Sequence, residues 1–217
     1  MIRIVISCIA ILSTIFYCVW EQNKTNTIMN ENCIEVYLYK EFITPEHNIP
    51  LKESEYYRIN KNSELKDIDE VYLNRLAFDT IKKKIVVKHG GFKNKLNLIE
   101  SKPFINNNEI ICFQNTAKPL STAIISKKKI LPKVINYKIW DNHLKQFVIL
   151  VNKKPIINGY LYCVLSSSIC ENTNILIYTK DELILLNFKD RNLTNINLQK
   201  DYPELYQAFK NTNRLIE

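Results

Sequence analysis

The chain has 217 residues, a formal net charge of +8 and an apolar content of 46%. An apolar content this high is not typical of disordered proteins, and a total of three glycines argues against folds that need glycine-rich phosphate loops. The excess of lysine indicates either a solvated basic surface or attraction to an acidic protein or an anionic surface.

The first twenty residues contain the clearest targeting signal. Arg3 is followed by seventeen uncharged residues, Ile4 to Trp20, at the short end of the roughly 17–25 residues that cross a bilayer as a helix. Tyr17 and Trp20 suit the membrane–water boundary, and the positive-inside tendency keeps Arg3 in the cytoplasm. Residues 1–20 therefore predict a transmembrane signal anchor that exports the rest of the chain.

A cleaved signal peptide is the alternative prediction for residues 1–20. Its cleavage site needs small side chains, whereas residues 16–20 are bulky and residues 25–27 offer only a weak site. A lipoprotein cut before Cys18 would need a small residue where Tyr17 stands. Both predictions place the remaining chain outside the cytoplasm, and we favour a bacterial inner membrane with the domain facing the periplasm. Residues 21–32 are interpreted as a polar tether, and residues 33–217 as a single β-rich extracytoplasmic domain.

Four of the six cysteines fall in the predicted exported domain. An even number of cysteines there indicates two disulfides, for which three pairings are possible. We favour Cys163–Cys170, which would close a short hairpin, and Cys33–Cys112, which would stabilise the fold by about 4 kcal/mol in the chain-entropy model. The alternative is four unpaired thiols. No zinc site is predicted, because the sequence has no Cys-x-x-Cys pair and its three histidines are scattered.

The exported domain begins with a half-buried strand. Apolar residues from Ile34 to Phe42 alternate with polar or aromatic ones, which is the period of a strand with one face in a core. Residues 44–62 are predicted as a loop, since they contain Pro45, Pro50 and many polar groups. Residues 64–78 fit both a helix and a strand, and a short helix is favoured there.

The rest of the domain is predicted as strands. The apolar runs are short and separated by turn residues: 85–87, 96–99, 109–113, 121–126, 135–139, 147–151, 160–165 (opened by Gly159), 175–178 and 183–188. The continuous run at 147–151 is typical of a central strand. Seven or more strands at this spacing predict a mainly β fold, either a sandwich or an open barrel-like sheet. Lysine runs at 82–84 and 127–129 each precede an apolar run, where lysine commonly protects strand edges from pairing.

The C-terminal segment changes to a helical period. Asp201 is predicted to cap a helix with Glu204 three residues later, and Tyr202, Leu205, Tyr206 and Phe209 then share one face. We expect this face to pack on the sheet. The alternative is a helix that binds a partner.

No catalytic arrangement stands out, and we expect a non-enzymatic protein without cofactor, metal, nucleic acid or small-molecule substrate. Asp141, His143 and Ser166–Ser168 could supply parts of a triad, but the serines lack the Gly-x-Ser-x-Gly turn that exposes a nucleophile. His47 and His89 fall in loop-like segments and are predicted to lie on the surface.

One segment resembles a known family. Residues 106–126, NNNEIICFQNTAKPLSTAIIS, are similar to a segment of periplasmic immunity proteins of bacterial type VI secretion systems, where a polar turn precedes a Cys-containing strand and a Pro-bearing loop. The resemblance implies a small, exported, β-rich, non-enzymatic protein that binds and blocks a toxin. The chain lacks the lipobox usual in that family, and Pro155, Gly159, Tyr160 and Cys163 only partly match its later cluster. No functional residue is carried over.

Three hypotheses on function follow. The first is a membrane-tethered extracytoplasmic binding protein, such as an immunity protein or a toxin inhibitor, whose basic charge favours an acidic protein partner. The second is a structural envelope protein of an AT-rich virus or a subunit of a surface assembly. The third is an exported hydrolase, which would need a deep pocket with convergent polar groups.

Overall fold

The computed structural model describes Glu21 and residues 31–115, 122–126, 144–162, 173–178, 182–189 and 192–216. The predicted anchor or signal peptide at residues 1–20 and the predicted strand at 135–139 lie outside these residues. Among the helices that are described, none is both long enough and apolar enough to cross a membrane.

The described part of the chain contains twelve strands and four α-helices. The strands are β1 (Ile34–Leu38), β2 (Asn48–Pro50), β3 (Leu76–Asp79), β4 (Lys84–Val87), β5 (Ile110–Asn115), β6 (Thr122–Ser126), β7 (Leu144–Val151), β8 (Lys154–Tyr162), β9 (Thr173–Tyr178), β10 (Glu182–Lys189), β11 (Asn192–Asn195) and β12 (Leu215–Ile216). The helices are α1 (Glu55–Asn60), α2 (Glu70–Leu73), α3 (Leu198–Asp201) and α4 (Pro203–Asn211), and 3-10 turns lie at Leu51–Glu53, Leu96–Leu98 and Asn107–Glu109. The prediction of a mainly β fold is confirmed.

The main sheet is mixed and curled. Its strand order is β1-β7-β8-β9-β10-β6-β5-β12, and β11 pairs with β10 beside β6. The pairs β8–β9 and β5–β12 are parallel, and the others are antiparallel. Val36 of β1 exchanges backbone hydrogen bonds of 2.9 and 3.1 Å with Ile105, close to the start of β5. The sheet therefore curls, so that β1 at one end of the strand order contacts the segment that precedes β5, near the other end.

The inner face of the curled sheet encloses the largest apolar core. Strand residues such as Ile34, Phe147 and Leu185 contribute to it, and Leu205 and Phe209 of α4 fill it from the open side. The rings of Phe113 and Phe209 lie 5.2 Å apart. The prediction that the C-terminal helix packs on the sheet is confirmed.

The start of α4 differs from the prediction. Tyr202, not Asp201, is the N-cap residue, and Pro203 occupies the first helical turn without a side-chain cap. Asp201 ends the preceding helix α3, and its carboxylate accepts a hydrogen bond from the N–H of Asn197 at 3.0 Å. The carboxylate of Asp201 therefore bonds the backbone at the start of α3 and does not cap α4. Pro203 can begin α4 because proline has no N–H group that would need a partner.

A second core covers the outer face of the main sheet. Val148 and Leu150 of β7 point to this side, while their neighbours Phe147 and Ile149 point inward. The outer core is completed by residues of the segments that flank the small sheet, among them Ile43 and Phe92. Burial on both faces explains the continuous apolar run of β7, and its predicted central position is confirmed.

A three-stranded antiparallel sheet, in the order β2-β3-β4, stands apart from the main one. The predicted loop at 44–62 contains β2, a 3-10 turn and α1, and the ambiguous segment 64–78 forms both α2 and most of β3. Side chains fix the helix starts, since Ser54 accepts from the N–H of Tyr57 at 3.1 Å and Asp69 accepts from that of Val71 at 2.7 Å. The predicted strand at 96–99 is a 3-10 turn followed by a single bridge between Ile99 and Tyr39.

The predicted disulfides are resolved only in part. Cys33 and Cys112 are free thiols in the structure, and the bridge favoured between them is not formed there. Cys33 precedes β1 and Cys112 lies on β5, and these strands are not neighbours in the sheet. Burial raises the pKa of both thiols. Cys163 and Cys170 lie outside the described residues, so that pairing stays a prediction.

Candidate functional site

A cleft beside the small sheet brings several charged side chains together. It has a volume of about 580 Å³ and is lined by Pro45–Asn48, Asp79, Lys82, Lys84, Val86, Val87 and Gly90–Lys93. We call it the basic cleft, because three of its side chains are lysines.

The floor of the basic cleft is one face of the small sheet. The register pairs Asn48 with Asp79, Asp79 with Lys84, and Ala77 with Val86. Side chains of directly opposed residues share a face, so Asn48, Asp79, Lys84 and Val86 all point into the cleft. The opposite face contributes Leu76, Phe78 and Ile85 to a separate small core beneath α1 and α2.

The wall formed by Gly90–Lys93 is held against the main sheet. The Phe92 ring lies 5.7 Å from that of Tyr39 and 5.6 Å from that of Tyr160. The hydroxyl of Tyr160 donates to the Gly90 carbonyl at 2.9 Å, and the amide of Asn158 donates to the Phe92 carbonyl at 2.8 Å. Two aromatic contacts and two hydrogen bonds therefore fix this wall.

The wall formed by Pro45–His47 is anchored through a buried glutamine. Gln146 on β7 accepts from the N–H of Ile43 at 2.6 Å and donates to its carbonyl at 2.8 Å. Closer to the cleft, the His47 carbonyl accepts from the N–H of Thr80 at 2.8 Å and from its hydroxyl at 3.0 Å. The cleft is thus bounded on both sides by segments with fixed backbones.

The two carboxylates of the cleft are already engaged. Glu46 accepts from Lys93 at 2.7 Å, and this hydrogen bond lowers the pKa of Glu46. Asp79 accepts from the N–H groups of Lys82 at 2.8 Å and Ile81 at 2.9 Å, and these bonds lower the pKa of Asp79. Both side chains are anions at neutral pH and are satisfied by local donors.

Two of the three lysines of the cleft are less well neutralised than Lys93, which pairs with Glu46. Lys82 approaches Asp79 only to 3.9 Å, and that carboxylate already accepts two backbone bonds. Lys84 is exposed and forms no ion pair with a described residue. The cleft therefore offers two cationic groups to a ligand, Lys82 and Lys84, while its carboxylates already accept hydrogen bonds from the protein.

The histidines lie in different surroundings. His47 lines the cleft. His89 was predicted to lie on the surface, but it packs edge-on against Phe42 at 5.4 Å and Tyr160 at 5.7 Å between ring centroids, and its Nδ1 is buried without a hydrogen-bond partner. Burial lowers the pKa of His89 to about 4. The partial burial of His89 depends on Phe42 and Tyr160, which are distant in the chain.

Other predicted site residues fall elsewhere. Asp141, His143 and Ser166–Ser168 lie outside the described residues. Within the described ranges, no group of three or more His, Cys, Asp or Glu side chains is arranged to hold a metal ion. The lysine run at 82–84 does lie at an edge strand, because Lys84 opens β4. Glu46, Asp79 and Lys93 had no local signal, since only the folded chain brings them together.

Comparisons of the chain with models of known families, with curated proteins and with solved structures give no match. The geometry of the basic cleft and the sequence therefore provide the basis for a functional proposal.

Proposed function

We propose that this chain is a membrane-tethered, extracytoplasmic binding protein that attaches to an acidic segment of another protein through the basic cleft. It acts by covering its partner, as an inhibitor or an immunity protein does, and not by chemistry. The observation that carries the proposal is the cleft itself, in which Lys82 and Lys84 are exposed and both carboxylates accept hydrogen bonds from groups of the protein.

The charge distribution favours an anionic ligand. Residues 81–88 contain four lysines and no acidic residue, and Lys82 and Lys84 line the cleft. Such a local excess of one sign speeds the encounter with an oppositely charged partner and disfavours cationic ones. Lys84 supports this most directly, since it forms no ion pair with a described residue.

The state of the carboxylates favours binding over catalysis. A general base or a metal ligand needs an oxygen that is free to accept a proton or a cation. Glu46 is held by Lys93 and Asp79 by two backbone N–H groups. With the pKa of each lowered, neither is tuned towards neutrality as catalytic acids commonly are.

The fixed walls favour tight binding without reorganisation. Tyr160, Asn158 and Gln146 bond the backbone of the flanking segments to the main sheet. A ligand that enters a preformed cleft does not have to order it, which lowers the entropic cost of association.

The tether is supported by residues 1–20, with their uncharged run behind Arg3. Fractionation of cells that express the full chain with a C-terminal tag tests it. Full-length protein in the membrane fraction, digested by protease added to intact spheroplasts, is the expected result. Full protection from protease would overturn the proposed location.

The cleft is tested by site-directed photo-crosslinking in the organism of origin. A photoreactive residue in place of Val86, which lines the cleft, should give a discrete adduct with an acidic protein when introduced into the full chain. The adduct should weaken when Lys82→Gln and Lys93→Gln are introduced, and when salt is raised from about 50 to 500 mM, because screening shortens the range of the attraction.

Matched controls separate the cleft from general surface charge. Lys66→Gln and Lys102→Gln remove two exposed lysines outside the cleft and should leave the adduct unchanged. Equal adducts from position 86 and from position 102, or equal losses from both pairs of substitutions, would refute the cleft as the binding site.

A further inference from the structure

The strand β4 lies at an edge of the small sheet. In the order β2-β3-β4 it pairs with β3 alone, and none of the other described strands bonds to its second edge. An edge strand presents unpaired N–H and C=O groups on which another chain can form a strand.

The register shows which backbone groups face outward. The N–H of Lys88 donates to the carbonyl of Arg75 at 2.8 Å, which makes this a hydrogen-bonded pair of the antiparallel ladder. Bonded and non-bonded pairs alternate, so the paired residues Val87 and Leu76, and likewise Ile85 and Phe78, are non-bonded. The N–H and C=O groups of Ile85 and Val87 therefore point away from β3, and neither N–H donates to another described residue.

The side chains around this edge are basic. Lys84 opens β4, Lys82 and Lys83 precede it, and Lys88 follows it. The register places Lys84 and Val86 on the cleft face and Ile85 on the face of the small core. A strand added beside β4 would therefore have Lys84 and Val86 next to it on the cleft face, and Ile85 next to it on the opposite face.

We infer that the outer edge of β4 receives an acidic, extended segment of a protein partner, which adds to the small sheet as a fourth strand. The inference rests on the proposed function and specifies how the partner is held. Backbone bonds to Ile85 and Val87 supply the pairing, and an acidic side chain opposite Lys84 supplies the selectivity.

The geometry of strand addition suits the cleft. Residues of an added antiparallel strand that lie opposite Lys84 and Val86 occupy non-bonded positions, where side chains approach most closely, with Cβ atoms about 4.5–5.5 Å apart. An acidic residue at the first of these positions would face Lys84 in the cleft. Peptides that add to an exposed edge gain affinity from main-chain bonds and specificity from alternate side chains.

A second copy of this chain is a poorer occupant of the same edge. Two β4 strands side by side would bring lysines of both copies together, and directly opposed like charges destabilise a sheet. The lysines therefore disfavour self-pairing and favour an acidic strand.

The pairing is tested with synthetic peptides and the full chain in detergent micelles. The probe is a fluorescein-labelled peptide of five Glu-Val repeats, and its binding is measured by fluorescence anisotropy. It should bind, whereas the matching peptide of Lys-Val repeats should not. Absence of binding by the Glu-Val peptide would overturn both the inference and the acidic ligand of the proposed function.

Backbone methylation distinguishes strand pairing from charge attraction. Two versions of the Glu-Val peptide are N-methylated at alternate amides, one at the glutamates and one at the valines. Only one set of amides can face β4, so one version should bind at least about tenfold more weakly, since loss of two hydrogen bonds costs about 2 kcal/mol. The other version should bind within twofold of the parent. Equal binding by both methylated versions and the parent would overturn strand addition while leaving the acidic cleft ligand in place.

A protein variant tests the same edge from the other side. Val87→Pro removes an outward N–H that β3 does not use, a position where edge strands tolerate proline. It should weaken binding of the Glu-Val peptide about fivefold or more. Val87→Ala keeps the N–H and loses most of the same side chain, and it should bind within twofold of the wild type. Equal weakening by the two substitutions would argue against backbone pairing, and the peptide series decides the matter if Val87→Pro does not fold.

Discussion

The buried histidine makes the stability of the fold depend on pH. His89 packs against the rings of Phe42 and Tyr160, which also contact each other, and its pKa is lowered from 6.5 to about 4. Burial is the main cause, because an imidazolium loses its hydration there, and the positive charges of Lys88 and Arg75 act in the same direction. The folded state therefore keeps His89 neutral.

The size and sign of the effect follow from linkage. The unfolded chain binds a proton at His89 below pH 6.5, while the folded chain does so only near pH 4. The free energy of unfolding should fall as the pH decreases through this window, by roughly 3 kcal/mol in total. About 2 kcal/mol of this should be lost between pH 7 and pH 5.

The replacement His89→Phe isolates this contribution. Phenylalanine keeps a ring against Phe42 and Tyr160 and removes both the titrating group and the unpartnered Nδ1. Carboxylates with lowered pKa values, such as Glu46 and Asp79, lose their contributions to stability only as the pH falls below their ordinary pKa values of 4.5 and 3.8. These carboxylates are present in both the wild type and His89→Phe, so their effect cancels in the comparison. Denaturant unfolding at pH 7 and pH 5 should therefore show a smaller decrease for His89→Phe, by about 2 kcal/mol. Parallel stability curves for the two proteins across this range would refute the reasoning.

Two further substitutions test the packing of the main sheet and its closure. A Cβ atom at Gly159 would lie 2.0 Å from the carbonyl oxygen of Asn174 on the parallel neighbour strand, so Gly159→Ala should lower the free energy of unfolding by about 3 kcal/mol. Gly90→Ala, where a Cβ would meet nothing within 4 Å, is the matched control and should change it by less than about 0.5 kcal/mol; similar losses in thermal denaturation would contradict this account. Arg214 is 5% exposed and donates to the carbonyl and the side-chain oxygen of Asn107 at 3.0 and 2.9 Å, and Arg214→Met should cost about 3 kcal/mol by denaturant unfolding; a cost below about 1 kcal/mol would show that these bonds contribute little.

The strands of the main sheet were largely predictable because their signals are local. Ile34, Val36 and Leu38 alternate and all are buried, and the apolar run of β7 has both faces covered. The strands β9 and β10 also coincide with the predicted runs at 175–178 and 183–188, and they pair antiparallel.

The errors occur where the pairing partner decides the structure. The strand β2 has three residues and ends at Pro50, and β3 overlaps a segment with an equally good helical pattern, so only their mutual pairing reveals the small sheet. Gly159 was interpreted as the opening of a strand, but it lies inside β8. Its role is to allow close approach of β9, and that neighbour cannot be identified from the glycine itself.

The candidate site was predictable to the same limited extent. The run Lys82–Lys84 could be assigned to a strand edge, because a charge run before an apolar run is visible in the sequence. The walls could not be assigned, since they depend on Gln146 and Tyr160, which lie far along the chain from the segments that they hold. The sequence around a buried glutamine on an apolar strand does not indicate its partners, which here are the backbone of Ile43 and the hydroxyl of Tyr160.

Two properties of the small sheet have one electrostatic origin. A sheet of three strands with a free edge invites pairing with any extended chain, and the outward groups of Ile85 and Val87 give no selectivity of their own. The lysines around β4 supply it, because charge repulsion acts against a second copy and attraction acts for an acidic strand. Replacing these lysines with neutral residues would weaken both the repulsion of a second copy and the attraction of an acidic strand. A protein that needed only to protect its edge could use proline or a bulge, neither of which attracts anions. The choice of lysine is therefore the feature that connects the architecture of the small sheet with the proposed partner.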